Sequence, residues 1–169
     1  MSLASLRMEF RIREATEHDE PFLVDMLHEA LFVPPGDPQP RRAVVDQPEL
    51  ARYVRGFGSQ SGDAGWVAET ASGDPAGAAW VRRFGSDAPG YGFVDEDTPE
   101  VSIAVVPKWR GRGLGTALMG RLLWSVTRCS LSVDDRNRAV RLYQRFGFEV
   151  VRTDGHSVTL LYSAGQDQP

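Results

Sequence analysis

The sequence predicts one α/β domain: a central mixed sheet of six to seven strands flanked by about four helices. Three observations carry this. The chain has 169 residues, the size of a single domain. Short stretches with a two-residue apolar period are interspersed with longer ones whose apolar residues recur every three to four positions. The order is strand, two helices, three strands, helix, strand, helix, two strands, so strands come in runs and then alternate with helices, as a mixed sheet with helices packed on it requires.

Each element has its own justification. Phe10 to Arg13 alternates apolar and basic residues and reads as the first strand. Thr16 is an N-cap with Asp19 three residues on, and Phe22, Leu23, Met26, Leu27, Ala30 and Leu31 recur at helical spacing. Four prolines in Val33 to Pro40 make that stretch a loop. A second helix is expected over Pro48 to Phe57, then a loop from Gly58 to Gly65. Trp66 to Thr70 and Gly77 to Phe84 read as strands joined by the turn Ser72-Gly73-Asp74-Pro75. Gly85 to Pro99 is a glycine-rich, acidic loop, and Glu100 to Val106 is a strand stopped by Pro107. A helix is expected from Gly113 to Thr127, with Leu114, Leu118, Leu122 and Val126 in one stripe. Cys129 to Val133 is a short strand, and Asn137 to Phe146 a helix ended by Gly147. Phe148 to Arg152 and Ser157 to Tyr162 form a last hairpin around Thr153 to His156. The domain is therefore placed at residues 9–163, with a flexible start over 1–8 and a frayed tail over 164–169.

Composition narrows the classes. Hydrophobic residues are 41% and charged residues 25%, ordinary for a globular protein. A domain of this size buries roughly 70% of its unfolded surface and needs no disulfide or metal for stability. Cys129 is the single cysteine, so no intrachain disulfide forms, which fits a reducing cytoplasm. No apolar run approaches the roughly 20 residues of a membrane span, and the first six residues lack the basic start and apolar core of a secretory leader. A formal net charge of −4 disfavours non-specific nucleic-acid binding. His18, His28 and His156 are far apart in sequence and share no metal-ligand spacing, so no metal is expected. Cys129 sits in an apolar strand as core, and Trp66, Trp80, Trp109 and Trp124 read as packing residues.

The chemistry-bearing segment is Val105-Val106-Pro107-Lys108-Trp109-Arg110-Gly111-Arg112-Gly113-Leu114-Gly115-Thr116. A strand ends at a proline, a basic glycine-rich turn follows, and a helix begins. The first amides of a helix have no partner within it, and the dipole adds about half a positive charge there. Glycines let a ligand approach the main chain closely. Such a turn cradles phosphate or pyrophosphate. The Walker pattern fails for lack of Lys-Ser/Thr, and the dinucleotide fingerprint fails because Thr116 or Leu118 stands where its last small residue belongs.

This segment resembles the GNAT superfamily of N-acetyltransferases, whose acetyl-CoA motif is Gln/Arg-x-x-Gly-x-Gly/Ala after a strand and Val-x-Pro; here it reads Arg110-Gly111-Arg112-Gly113-Leu114-Gly115. A second motif follows in order: Asn137, Ala139, Leu142-Tyr143 and Gly147-Phe148. Together they span Val101 to Phe148. The resemblance implies an acetyl-CoA-dependent N-acetyltransferase. It implies that the backbone of Ile103, Ala104 and Val105 pairs with the pantetheine arm. It implies that Arg110, Gly111, Arg112, Gly113, Leu114, Gly115 and Thr116 hold the pyrophosphate, Asn137 contacts the cofactor near a splay between two strands, and Tyr143 protonates the departing thiolate. Asn137 stands six residues before Tyr143 where the family has seven, and Arg136 occupies the usual place.

Acyl transfer to an amine also needs a base, since a free amine of pKa about 8 to 10.4 is protonated at neutral pH. Glu100, where the cofactor strand begins, is the candidate, with Glu96 and Asp97 as alternatives. Asp95, Glu96, Asp97 and Glu100 form an acidic cluster suited to a cationic acceptor, or simply a solvated loop. The oxyanion would be met by the N–H of Val105 or its neighbour. The acceptor is a small-molecule or peptide amine, shaped by Val33 to Pro40 and Thr153 to His156. No nucleic acid or membrane is expected as partner, and a homodimer is left open. Two other readings stand: an acyl-CoA-binding sensor without transfer, and a binding domain using Arg136, Arg138, Arg141 and Arg145.

Overall fold

The computed structural model describes residues 9–165; the expected flexible start over 1–8 and the tail beyond 165 lie outside it. Seven strands form one sheet: β1 (Phe10–Glu14), β2 (Ala64–Thr70), β3 (Pro75–Arg82), β4 (Glu100–Val105), β5 (Arg128–Asp134), β6 (Glu149–Asp154) and β7 (Ser157–Ser163). Their spatial order is β1-β2-β3-β4-β5-β7-β6. All neighbours are antiparallel except β4 and β5. Within the described residues four α-helices accompany them: α1 (Glu20–Ala30), α2 (Pro48–Ala51), α3 (Leu114–Leu123) and α4 (Ala139–Arg145). The expected fold class and strand order are both found.

Side-chain alternation sends β3 and β4 into two cores. Ala78, Trp80 and Ala104 face α1, where they meet Leu23, Met26 and Leu27. Ala79, Val81 and Val101 face the other side, where they meet Leu114, Leu118, Met119 and Leu122 of α3. The expected stripe on α3 is thus core, and Val126 packs against it from beyond the helix end. Cys129 is fully buried in this core, and burial pushes its thiol up to about 12, too high for a nucleophile at neutral pH.

Three helices are shorter than the apolar spacing suggests, each because a side chain intercepts its backbone. The segment expected as helix over Pro48 to Phe57 is regular only to Ala51. Beyond it the indole of Trp80 donates to the Tyr53 carbonyl at 2.8 Å, and the Arg82 guanidinium takes the carbonyls of Arg52 and Arg55. Gly56, at φ +66°, then turns the chain away. α3 stops at Leu123 rather than Thr127 because the Ser125 hydroxyl and N–H both bond the Leu122 carbonyl. α4 starts at Ala139, with Arg138 as its N-cap, because Oδ1 of Asn137 accepts the Ala139 N–H at 2.9 Å in a side-chain turn just ahead of the helix.

Arg82 is held by Asp63 through two bonds, Nε to Oδ1 at 3.0 Å and Nη2 to Oδ2 at 2.9 Å, both side chains being 1% exposed. Asp63 also accepts the N–H groups of Gly58 and Gln60. This buried network ties the loop before β2 to β3.

Candidate active site

The site begins with a failure of pairing. β4 matches β3 over six register pairs and β5 matches β7 over seven, but β4 and β5 share one, Glu100 with Ser130. There the Ser130 N–H bonds the Pro99 carbonyl at 2.9 Å. On the other edge, the Val106 N–H bonds Ala76 at 2.8 Å. Alternation along an antiparallel strand therefore turns the N–H groups of Ile103 and Val105 away from β3, into the gap. The Val105 carbonyl on that edge accepts from Nε of Arg110 at 3.0 Å. Arg110 also pairs with Glu29 of α1 at 2.8 Å.

One cavity, about 980 Å³, opens from this gap over the start of α3. Gly111 and Gly113 hold φ of +74° and +81°, and a Cβ built on either would meet nothing within 4 Å. The glycines are therefore there for conformation, and they leave an open concave face. The first backbone bond of α3 runs from the Ala117 N–H to the Gly113 carbonyl at 3.1 Å, so the preceding amides of the turn are left for a ligand. Arg110, Gly111, Gly113, Leu114, Gly115 and Thr116 line this cavity with Ile103, Ala104 and Val105. Arg112 does not line it: its guanidinium lies over the Trp109 ring at 4.9 Å and 3.6 Å from Glu9. Arg138 and Arg145 do, placing three guanidiniums against one carboxylate, Glu29.

A second cavity, about 510 Å³, lies at the other end of the gap. Glu100 is on its wall, 2% exposed. Its Oε1 accepts the Tyr53 hydroxyl at 2.9 Å and the Gly92 N–H at 2.7 Å, while its Oε2 is buried with no partner among the described residues. Burial raises the carboxyl above its ordinary value, and the Gly92 and Tyr53 donors pull it partly back. The Tyr53 hydroxyl in turn accepts the Tyr91 N–H at 2.8 Å, and Ser130 donates to the Gly92 carbonyl at 2.7 Å. Burial, with the Glu100 charge second, pushes the Tyr53 phenol up. The loop from Pro89 to Phe93 is thereby clamped beside Glu100. It has no room for a side chain there, since a Cβ on Gly90 would come within 2.0 Å of Oε2.

The two cavities meet at Ala30, Leu31 and Phe32 on one side and at Ile103, Asn137 and Tyr143 on the other, all of which line both. Tyr143 is set by the end of α4. The Gly147 N–H bonds Gln144 at 3.0 Å and the Phe148 N–H bonds Tyr143 at 3.1 Å, with Gly147 at φ +92°. This closure packs Phe148 on the Tyr143 ring, centroids 5.9 Å apart. The Tyr143 hydroxyl forms no hydrogen bond among the described residues, and burial pushes its pKa up to about 12. Asn137 spends its oxygen on Ala139, leaving its NH2 as the free donor.

Other expected residues lie elsewhere. Asp95, Glu96 and Asp97 line neither cavity: Asp95 is paired with Arg128 at 3.1 Å, and Glu96 accepts the Ser86 N–H and hydroxyl. Arg136 is bound bidentately to Asp134 at 2.8 and 2.7 Å. Val33 lies on the wall of the larger cavity, and Ser157, just beyond Thr153 to His156, on that of the smaller. Asp134, Asp135 and His156 bring ligand atoms within 4.8 Å of one another, but Asp134 is committed to Arg136 and His156 to Asp135 at 2.7 Å. Among the described residues no helix is long and apolar enough to cross a membrane. Sequence reasoning missed Tyr53, Tyr91 and the placement of Arg138 and Arg145. The seven-residue spacing of the last two, which puts them on one helix face, was the available signal.

Comparison with known proteins follows the same lines. No curated protein is significantly similar in sequence. Solved structures share the fold at low identity. The GNAT domain of PAT from S. lividans is 20% identical with a TM-score of 0.63, over 91% of this chain and 90% of that one. A GNAT superfamily phosphinothricin acetyltransferase from Sinorhizobium meliloti, solved with acetyl-CoA, is 17% identical with a TM-score of 0.62, over 94% and 90%. An acetyltransferase of the GNAT family from Streptococcus pneumoniae is 18% identical with a TM-score of 0.59, over 92% and 99%. The sequence profile of the acetyltransferase (GNAT) domain matches residues 61–150, more than half of the chain and the part that holds both strands of the gap and the glycine turn, so the chain belongs to the GNAT acetyltransferase family.

Proposed function

We propose that this protein transfers an acetyl group from acetyl-CoA to a primary amine by direct attack of the amine on the thioester. The observation that carries the reading is the charge difference between two cavities that share Ile103, Asn137 and Tyr143. The larger is lined by three guanidiniums and a glycine turn at a helix start, and fits a polyphosphate. The smaller has carboxylates as its charged wall residues, and fits a cation.

The residues suit the cofactor: the glycine face is open, the turn amides are free, and the unpaired edge at Ile103 and Val105 can bond an amide-bearing arm. When bound there, acetyl-CoA supplies the activated acyl group. Glu100 is assigned as the acceptor of the amine proton; its Oε2, which lacks a partner among the described residues, is buried against Gly90, so the proton reaches it through an intervening water rather than by direct contact. The N–H of Val105 or its neighbour on the gap edge meets the oxyanion. Tyr143, at the junction, offers its hydroxyl to the sulfur. Arg138 and Arg145 at the cofactor-side cavity, and Arg136 on Asp134, support a role for the arginine cluster in cofactor binding rather than nucleic-acid binding. The lone buried thiol suits a reducing, cytoplasmic setting.

The test has two readouts. Acetyl-CoA at about 100 times its Kd should stabilise the fold by roughly 2.7 kcal/mol in a thermal-shift assay. Free thiol should then appear in the presence of an amine. No shift at millimolar acetyl-CoA removes the reading; a shift without thiol release from any amine turns it to a binding module.

A further inference from the structure

The smaller cavity has a composition that selects among amines. Among the described residues on its wall, Glu100 and Asp134 are the charged side chains, and there is no lysine, arginine or histidine. The nearby guanidiniums of Arg52 and Arg152 make their hydrogen bonds off this wall. Arg52 donates to the carbonyls of Pro48 and Pro89, Arg152 to the Phe93 carbonyl and the Thr159 hydroxyl, and Arg136 chelates Asp134. An acceptor carboxylate or phosphate would find no cation on the wall itself; Arg52 and Arg152 act on Glu100 only from behind the wall.

Asp134 is the second half of the argument. Both its oxygens are taken by Arg136, so the rim carboxylate is neutralised. A second ammonium on the acceptor therefore has no free partner either. Glu100 is the one wall carboxylate with an oxygen that has no partner among the described residues; the rest of the wall is uncharged, with Phe32, Tyr53 and Tyr91 as its aromatic part and Ser102, Ser132, Asn137 and Ser157 as its polar part. Tyr91 lies parallel to Tyr53, 9° between planes and 6.5 Å between centroids, and is 59% exposed, so its free face continues the wall outward. The volume, about 510 Å³, is in the range of small-molecule sites.

We infer that the acceptor is a hydrophobic, aromatic-bearing monoamine without a carboxylate or phosphate, its single nitrogen directed to Glu100 and its body against Tyr91 and Phe32. This rests on the acetyl-transfer reading for the reaction, though not for the binding preference. In that reaction the C–S bond of the thioester breaks and a C–N bond forms; the ammonium gives up two protons, one passing through Glu100 to solvent before attack and the other, lost from the nitrogen of the tetrahedral adduct, ending on the CoA sulfur as the free thiol.

The test measures binding apart from turnover. 2-Phenylethylamine, phenylalanine and spermidine are titrated by calorimetry into the full chain, with and without saturating CoA. The expected result is that 2-phenylethylamine binds at least tenfold more tightly than either competitor. Tyr91→Ala should weaken 2-phenylethylamine several-fold and leave propylamine unchanged, because the Tyr91 N–H bond to Tyr53 is kept. Equal or tighter binding of phenylalanine or spermidine, no detectable binding of 2-phenylethylamine, or indifference of its affinity to Tyr91→Ala would each overturn the inference. Absence of CoA binding, or binding without thiol release, defeats the acetyl-transfer reading instead, and the amine preference is still scored on the free protein.

Discussion

Tyr143→Phe separates packing from chemistry at the junction of the two cavities. The ring is buried against Phe148, while its hydroxyl has no bond to the described residues. Removing that oxygen therefore breaks no internal contact, and the melting temperature should stay within a degree or two. The rate effect follows from the acidity. Burial holds the phenol at about 12, whereas a free thiol titrates near 8.5. Complete proton transfer from phenol to thiolate would be uphill by about three to four pK units, or roughly 5 kcal/mol. On the proposed mechanism Tyr143 would therefore contribute chiefly a hydrogen bond to the developing sulfur anion. Such a bond to a charged group is worth about 1.5–3 kcal/mol, or roughly 10- to 150-fold in turnover. That is at the low end of, or below, the 10²–10⁴ of a positioned general acid. The assay is CoA release under saturating amine, with acetyl-CoA affinity measured separately. Full activity in the Phe variant would show the tyrosine to be packing alone. A loss beyond about 10⁴-fold would show that the acidity argument understates its role.

Three further outcomes are expected. Tyr53→Phe removes a hydroxyl that helps hold the Glu100 carboxyl down, so Glu100 should titrate higher and the acid limb of kcat/KM should move to higher pH; a stationary limb would mean that Glu100 is not the titrating base. Gly113→Ala places a Cβ at φ +81°, costing about 1–2 kcal/mol of stability by chemical denaturation and weakening acetyl-CoA, whereas Gly115→Ala, inside α3 with only ordinary contacts at 4.0 Å, should gain up to about 1 kcal/mol and keep its affinity. Asp63→Ala leaves the buried Arg82 guanidinium without its counter-charge and should cost about 3–5 kcal/mol; a change under 1 kcal/mol would show that water replaces the carboxylate without penalty.

Much of this molecule is written in local patterns. The strand–turn–helix from Val105 to Thr116 and the second motif around Tyr143 depend on glycines at fixed offsets, and the φ values at Gly111, Gly113 and Gly147 show why. The order of strands followed from periodicity alone. What local patterns could not show was interception at a distance. The helix expected after Pro48 is cut short by Trp80 and Arg82, which lie roughly 30 positions on and leave no mark in the helix's own residues. The acidic run at Asp95 to Glu100 looked like one cluster. The fold splits it, burying Glu100 in the cavity wall and pairing Asp95 with Arg128, because the strand begins between them. Tyr53 and Tyr91 were invisible as site residues for the same reason, since their partnership with Glu100 depends on how a loop crosses the sheet.

The gap between β4 and β5 links stability to function. Each strand is fully paired on its outer side, so the gap is held open from both edges rather than by anything within it. The Val105 carbonyl is satisfied by Arg110, but the N–H groups of Ile103 and Val105 face the opening. Polar backbone groups withheld from a ladder cost about 1–3 kcal/mol each when they are also shielded from water. A strand pair evolved for stability alone would have zipped closed, as β5 and β7 do. An edge left unpaired between a basic glycine cradle and an acidic, aromatic-walled cavity is stabilised when a third strand-like chain lies in it. On the proposed reading a thioester arm with its own amides would meet that requirement, and its entry would bring the acyl carbon to Tyr143, where the two cavities join. Ligand binding should therefore protect the amides of Ile103 and Val105 from hydrogen exchange more than those of Ala104 and Val106, which β3 already holds. Equal protection of all four would mean that the gap closes by some other means, and that the cofactor does not lie along β4.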